Sequence, residues 1–322
     1  MSVPSRLDFH ISPENEGTRL SFLDRQRKFT AQPVTDVDLS GKTALIVGAN
    51  CGIVLEVARQ FLGLGITKTH RCHKATIECW PVELASYEST FAFAKRAEEL
   101  DRMDHIVLNA GMCATKFETN PTTGHEVTVQ INYLSTALLA SLLLPIAKAK
   151  RAVQNGPSRI TFTLSDVCAW TSFSERSNVP LLPALDVKGS LTSATALTDR
   201  RMVSKLLGQF FIRKLASIVP SSVAVINWAT PGMVHDTQIV KPIIRMSGYT
   251  SDVGARHITD AALHHHNDRV HGQYLSMQRI KPMAPILYTE EGKRIAEQLW
   301  KETMMEFAFA IVEQLIATAA KE

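Results

Sequence analysis

Short apolar runs alternate with longer, helix-length stretches through the middle of the chain. Alternation of this kind is typical of a parallel sheet that helices cover on both faces. We therefore predict an α/β fold, a doubly wound sheet that binds ligands at the carboxyl ends of its strands. The apolar runs lie at 43–50, 75–84, 105–111, 159–165 and 223–232, and the helical stretches include one that ends near Gly65, 87–100 and 202–218.

Two flanking segments depart from this alternation, so we divide the chain into 1–37, 38–288 and 289–322. The first carries proline, aspartate and threonine with scattered apolar residues, and we expect it to lie as an arm over the main domain. The last has the pattern of an amphipathic helix, with room for an interruption. Its apolar side either packs on the core or forms a dimer seam, so a homo-oligomer stays open. The apolar residues are Leu20, Phe22, Leu23 and Phe29 in the arm, and Ile295, Leu299, Met304, Phe307, Ile311 and Leu315 in the extension.

The composition of the chain argues against several classes of binding partner. The 35 basic and 31 acidic residues give a net charge of +4 without a long basic block, so we expect no nucleic acid. The most apolar run, 137–147, is too short for a bilayer, which takes about 20 residues. It predicts a buried helix or a subunit interface, and no membrane. The odd count of five cysteines and a polar first segment favour a reducing, cytoplasmic location.

Six short motifs follow one another in a recognisable order. In order and spacing they resemble the short-chain dehydrogenase/reductase family over about 38–290, and in particular fungal members found near secondary-metabolite genes. The resemblance implies a Rossmann-like sheet and a small-molecule substrate. The motifs are Gly48-Ala-Asn50-Cys-Gly52-Ile, Leu108-Asn109-Ala-Gly111, Asn132 in QIN, Ser165 after an apolar run, Lys205 in MVSK, and Pro231-Gly232.

The resemblance also implies roles for these residues. In the family, a nucleotide lies over the first glycine turn, while Asn, Ser, Tyr and Lys side chains converge on the substrate carbonyl. Ser165 would hold the carbonyl oxygen, Lys205 would bind the ribose, and Asn132 would anchor a water relay. The residues that would contact the cofactor are Gly48, Asn50, Gly52, Asn109, Lys205, Pro231 and Gly232.

The family's proton-donating tyrosine is missing. Arg201 stands four residues before Lys205, where the tyrosine belongs. A guanidinium stays protonated and cannot cycle protons, although it can hold an anion. Arg201 is therefore either a surface cation or, with Lys205 one turn away, part of an anion site. Asp166 is a further catalytic candidate, as a base or as a partner of Arg201, unless it only caps a turn.

Two more departures affect the cofactor side. The family's GxxxGxG pattern ends on a third glycine, and Val54 occupies that position, where it would crowd a pyrophosphate. Only residues 66–74 separate the first helix from the next apolar run, although a crossover takes at least about 10 to 12 residues. We therefore expect part of the second βα unit to be missing.

Three functions remain open. We favour an enzyme that has lost hydride transfer, has no cofactor, and performs a cyclisation of the Diels-Alder type, a dehydration or an isomerisation. The alternatives are an NADP(H)-dependent carbonyl or imine reductase and a catalytically silent binding protein. We expect no metal, because the groups His70, Cys72, His73, Cys79 and His264–His266 lack the paired spacing of zinc ligands.

Overall fold

A six-stranded sheet runs through the computed structural model, which describes residues 9–66, 77–189, 191–235 and 248–321. The strands follow the order β1-β2-β3-β4-β5-β6; the first five are parallel, and β6 pairs antiparallel with β5. Every residue of β3 and β4 is buried, as expected of strands covered on both faces. The strands are β1 (Ala44–Val47), β2 (His105–Leu108), β3 (Ser158–Thr163), β4 (Ala224–Ala229), β5 (Tyr274–Ser276) and β6 (Arg279–Lys281).

Helices form a layer on each face of this sheet, so the predicted α/β, Rossmann-like architecture is confirmed. One face carries α4, α6, α8, α11 and α12 around a large apolar core, and the other carries α3 and α9 around a smaller one. The helices are α1 (Pro13–Glu16), α2 (Arg19–Lys28), α3 (Gly52–Gly63), α4 (Tyr87–Ala97), α5 (Val127–Val129), α6 (Thr136–Gln154), α7 (Leu181–Leu185), α8 (Ala194–Ile218), α9 (Ser251–Leu263), α10 (Asn267–Val270), α11 (Glu290–Glu306) and α12 (Val312–Ala320).

The strand expected at 75–84 is wrong for its described part, because 77–84 form no strand. Pro81 lacks the N–H that a ladder needs. Trp80 packs edge-on against Phe93 of α4 and lies 4.3 Å beneath the guanidinium of Arg96, so this segment is held by a helix and not by the sheet. Within the described ranges, β1 is consequently an edge strand; residues 67–76 lie outside them.

The apolar run 137–147 lies in α6, which confirms the expected buried helix. The continuous helical stretch from Val127 to Gln154 is long and apolar enough to cross a membrane by composition alone, but 83% of its most apolar window is buried inside the protein. This burial is consistent with a soluble protein. The apolar composition of this stretch is explained by its position in the core, between the sheet and the C-terminal helices.

Both flanking segments pack on the main domain. In the arm, Phe22 is buried, whereas Leu20 is 81% exposed and does not join the core as the apolar pattern suggested. The expected interruption of the C-terminal helix falls at Ile311, whose φ of +47° separates α11 from α12. Ile311 is exposed for this reason, and Val312 takes the buried position.

Candidate functional site

The glycine turn after β1 has the geometry that the motif predicts. Gly48 has a φ of +90°, and a Cβ there would lie 3.1 Å from the backbone of Ala110. Gly52 has a φ of +60° and starts α3, while Asn50 is exposed at the turn. The Asn109 N–H donates to the Val47 carbonyl at 3.4 Å and places the end of β2 beside the turn. A helix N-terminus behind such a turn suits a phosphate group.

Val54 lies inside this turn's helix and is 1% exposed. A buried isopropyl group therefore stands where the family pattern has its third glycine. The turn keeps two of the family's three glycine positions and closes the third.

Asn132 and Lys205 meet at the carboxyl edge of the sheet. Asn132 lies in a π-helical turn, Gln130–Ser135, a feature frequent at functional sites. Its amide donates to the Met112 carbonyl and to Ser204 Oγ, both at 2.9 Å, and its Oδ1 accepts from the Met112 N–H at 2.7 Å. These bonds engage the side chain of Asn132 in holding the loop after β2.

Lys205 is buried in α8 and reaches across to β3. Its Nζ donates to the carbonyl of Thr163, the last residue of β3, at 3.1 Å. The absence of a side chain at Gly111 makes room for it, because a Cβ there would lie 3.2 Å from Nζ. Burial is the larger cause and the neighbouring positive charge of Arg201 the smaller, and together they lower the pKa of Lys205 to about 7.

Arg201 precedes Lys205 by one helical turn and is half-buried. Burial lowers the pKa of Arg201, and no carboxylate in the described ranges contributes to the electrostatics of either cation. Ser165, two residues beyond β3, has a hydroxyl without a hydrogen-bond partner in the same ranges. The site thus combines two cations and a free hydroxyl at one sheet edge, a set suited to negative charge.

Asp166 does not pair with Arg201, which corrects one of the roles that the sequence left open for it. Its Oδ2 accepts from Thr230 at 2.7 Å, and its Oδ1 accepts from Tyr274 at 2.6 Å. In the part of the chain that the structure describes, its cationic partner is Arg25 of the arm, at 3.7 Å. The carboxylate therefore faces β4, β5 and the arm, because those strand ends supply its hydroxyl donors.

The arm also holds the Pro231-Gly232 loop, and no sequence pattern predicts this contact. Gln26 accepts from the Met233 N–H at 3.0 Å and donates to the Met233 carbonyl at 3.1 Å. Gly232 has a φ of +72°, and a Cβ there would lie 2.8 Å from Gln26 Oε1. Pro231 is buried beside it. The arm is thus packed directly against the loop that the resemblance assigns to a cofactor.

The histidine and cysteine groups form no metal site in the described ranges. His70, Cys72 and His73 lie outside them, and Cys79 is exposed. At the end of α9, Asp260 binds the rings of His264 and His265 at 3.1 and 2.7 Å.

The residues present fit only part of a dinucleotide. The turn at Gly48 and Gly52 matches a diphosphate, whereas the described ranges provide no strand beside β1 to hold an adenosine ribose. The loop at Gly232, on the other side, is engaged by Gln26. The described residues therefore match the diphosphate part of a dinucleotide, and residues 67–76, which follow α3, lie outside the described ranges.

Comparison with known proteins identifies the family. Residues 42–170 match the family model of the short chain dehydrogenase. The short-chain dehydrogenase fogG of Aspergillus ruber is 36% identical, over 97% of this chain and 99% of its own. The chain belongs to the short-chain dehydrogenase family. A second member, the short chain dehydrogenase/reductase mfmJ of Annulohypoxylon moriforme, is 34% identical over 92% of this chain and 93% of its own.

A solved structure with a similar fold agrees with the architecture described above. The NADH-dependent reductase A1-R′ in complex with NAD superimposes with a TM-score of 0.53 at 16% identity, over 74% of this chain and 95% of its own. The alignment with fogG runs over 347 positions, although this chain has 322 residues, so at least 25 of those positions have no residue here. Compared with this family member, the chain is internally shortened.

Proposed function

We propose that this short-chain dehydrogenase family member is a cytoplasmic enzyme of fungal secondary metabolism that converts a small carbonyl compound without hydride transfer. The conversion would be a cyclisation such as a Diels-Alder reaction, a dehydration or an isomerisation. One observation carries the proposal. Arg201 and Lys205 form a cation pair without an acidic partner in the described ranges, where the family implies a proton-donating tyrosine.

The side chains would act by electrostatics and orientation. The cation of Arg201, the hydroxyl of Ser165 and Lys205 in its protonated form would stabilise negative charge that develops on a carbonyl oxygen, an effect worth about 3 to 4 kcal/mol per well-placed donor. Because Arg201 keeps its proton at any working pH, its contribution to this stabilisation does not depend on pH. A cycloaddition needs only such polarisation and a fixed orientation of the reacting groups.

The cofactor side, where the sequence predicts that part of a βα unit is missing, is compatible with the same proposal. The turn at Gly48 and Gly52 would hold a phosphate or another anion of the substrate as readily as a diphosphate. Asn132 would keep the loop after β2 in place, as its three hydrogen bonds already do. Asp166 would fix the ends of β4 and β5 beneath the substrate.

The experiment compares metabolites in a fungal host that expresses the native chain or Arg201→Gln. With the variant, we expect a precursor to accumulate, because the anion loses its fixed charge. Precursor and product should have the same elemental composition or differ by one water. A difference of two hydrogens would overturn the proposal, and so would unchanged metabolite levels, which fit a silent binding protein.

One observation favours a second candidate, an NADP(H)-dependent carbonyl or imine reductase. The glycine turn keeps its left-handed backbone at Gly48 and Gly52, as a diphosphate site requires. Titration of the purified protein with NADPH decides between the two. We expect no saturable binding at micromolar concentrations. Saturable binding, with loss of NADPH absorbance when carbonyl compounds are added, would favour the reductase.

A further inference from the structure

The amine of Lys205 is held in a way that suits a nucleophile. It makes one hydrogen bond in the described ranges, to the carbonyl of Thr163. In this bond the nitrogen is the donor, so its lone pair remains free when the amine is neutral. The absence of a side chain at Gly111 lets the nitrogen lie against the loop after β2, because a Cβ there would be 3.2 Å from Nζ.

The surroundings of Lys205 favour the neutral amine. Two positive charges one helical turn apart repel each other, and burial removes the water that would screen them. The groups that act on Lys205 are Arg201, which disfavours its charge, and the buried thiol of Cys168, which has the opposite effect. Since Arg201 is always protonated, Lys205 is the member of the pair that loses its proton. With a pKa of about 7, about half of the amine is neutral at neutral pH.

We propose that Lys205 forms a Schiff base with the substrate, and that this substrate is a β-keto acid or a 1,3-dicarbonyl whose anionic group binds Arg201. This inference rests on the proposed cofactor-independent function and names its substrate class. A desolvated lysine beside a second cation is a known arrangement for amine nucleophiles. The planar guanidinium matches a carboxylate or a delocalised enolate by two parallel hydrogen bonds.

The step balances without an oxidant or reductant. The neutral Nζ adds to the ketone carbon, a C–N bond forms, and a proton moves from nitrogen to oxygen to give a carbinolamine. Protonation and loss of this hydroxyl as water break the C–O bond and leave an iminium ion. The iminium acidifies the neighbouring carbon, which permits isomerisation, dehydration or ring closure. Addition of water then releases the product and restores the amine.

Lys214 provides a matched control on the same helix. Its Nζ lies 2.6 Å from Glu297 Oε1 and is partly exposed, so it has the acidic partner that Lys205 lacks in the described ranges. Lys205 is buried beside a second cation, whereas Lys214 is partly exposed beside a carboxylate, so only Lys205 has the surroundings that the proposal requires.

The experiment traps the imine on the native protein. Acetoacetate and sodium cyanoborohydride are added at pH 7, and peptide mass spectrometry locates the reduced adduct. We expect the adduct on Lys205, unchanged in Lys214→Arg and absent in Lys205→Arg. In Arg201→Gln the adduct should fall at least about tenfold, because the carboxylate loses its partner and the amine regains part of its charge. Acetone, which carries no anion, should label the native protein far less than acetoacetate.

Labelling confined to exposed lysines in the native protein would overturn the inference, and equal labelling by acetone and acetoacetate would overturn the substrate class. Circular dichroism of Lys205→Arg shows whether that variant is folded; if it is not, the site assignment in the native chain and in Lys214→Arg still decides. Failure of trapping, alongside a precursor and product that have the same elemental composition or differ by one water, would remove the Schiff base and leave the proposed function standing.

Discussion

At the scale of single residues, one substitution changes what the site can do. The sequence predicts that Arg201 lies one turn from Lys205, but it leaves open whether the guanidinium faces solvent, an acid or an anion. The structure places it half-buried, with no carboxylate influencing its pKa in the described ranges. Whether Arg201 faces solvent, an acid or an anion depends on which chain segments pack around α8, and no local sequence pattern specifies that packing. The position was predictable and its electrostatic surroundings were not.

Val54 gives a prediction at the same scale. The sequence identifies it as an intrusion on the cofactor side, and the structure shows it buried at 1% exposure. If it has become a packing residue, Val54→Ala should lower the free energy of unfolding by about 2 kcal/mol through lost burial and a residual cavity. Urea denaturation measures this cost.

Val153 is a suitable control, because it is 59% exposed and Val153→Ala should change stability by less than about 0.5 kcal/mol. Equal stability of native protein and Val54→Ala would show that the helix start is loosely packed and could still admit a ligand.

At the scale of elements, long segments with a clear period were predictable and short ones were not. The sequence predicts the helix at 202–218, but α8 begins at Ala194, because the Ser193 side chain accepts from the Ala196 N–H and caps an earlier turn. The antiparallel pair β5 and β6 escaped prediction. Its turn uses Met277 and Gln278 at positive φ, without the glycine or asparagine that normally marks such a hairpin.

The pH prediction concerns His125, Asp186 and Glu306, a group of charged side chains that we call the clasp. The clasp links α7, α11 and the loop before α5. His125 Nδ1 lies 2.8 Å from Asp186 Oδ2, and its Nε2 lies 3.2 Å from Glu306 Oε1. Burial lowers the pKa of His125, but hydrogen bonds and charge attraction from these two carboxylates outweigh burial and raise the pKa to about 9. The histidine is therefore charged in the folded protein at neutral pH.

Because the folded pKa lies above the unfolded value of about 6.5, the clasp stabilises fully below that pH. Its contribution should fall as the pH rises towards 9, by about 2 to 3 kcal/mol in total. Urea unfolding of native protein and His125→Gln at pH 6 and pH 9.5 tests this. The stability gap between them should narrow at the higher pH. A gap that is the same at both pH values would show that the ring is neutral throughout.

At the scale of the whole molecule, β1 forms one edge of the sheet in the described ranges, and the other five strands follow in chain order on one side of it. The parallel sheet and its helices follow from the alternation of apolar runs. The expected shortage of residues after α3 stays a prediction, because residues 67–76 lie outside the described ranges. The packing of the arm could not be predicted, since Gln26 and Met233 are 207 positions apart and both groups are polar. Long-range polar contacts leave no periodic signal in a sequence.

The C-terminal extension decides whether the chain unfolds as one unit. Ile295, Leu299 and Phe307 belong to the same core as β3 and β4, and Trp300 stacks on Phe211 of α8 at 5.5 Å. An extension that shares its core with the sheet cannot leave without exposing it, so we expect one cooperative transition. The difference in fluorescence between native protein and Trp300→Phe isolates the signal of Trp300. Its urea midpoint should coincide with that of far-ultraviolet circular dichroism, whereas an earlier midpoint would make 289–322 a separately unfolding segment.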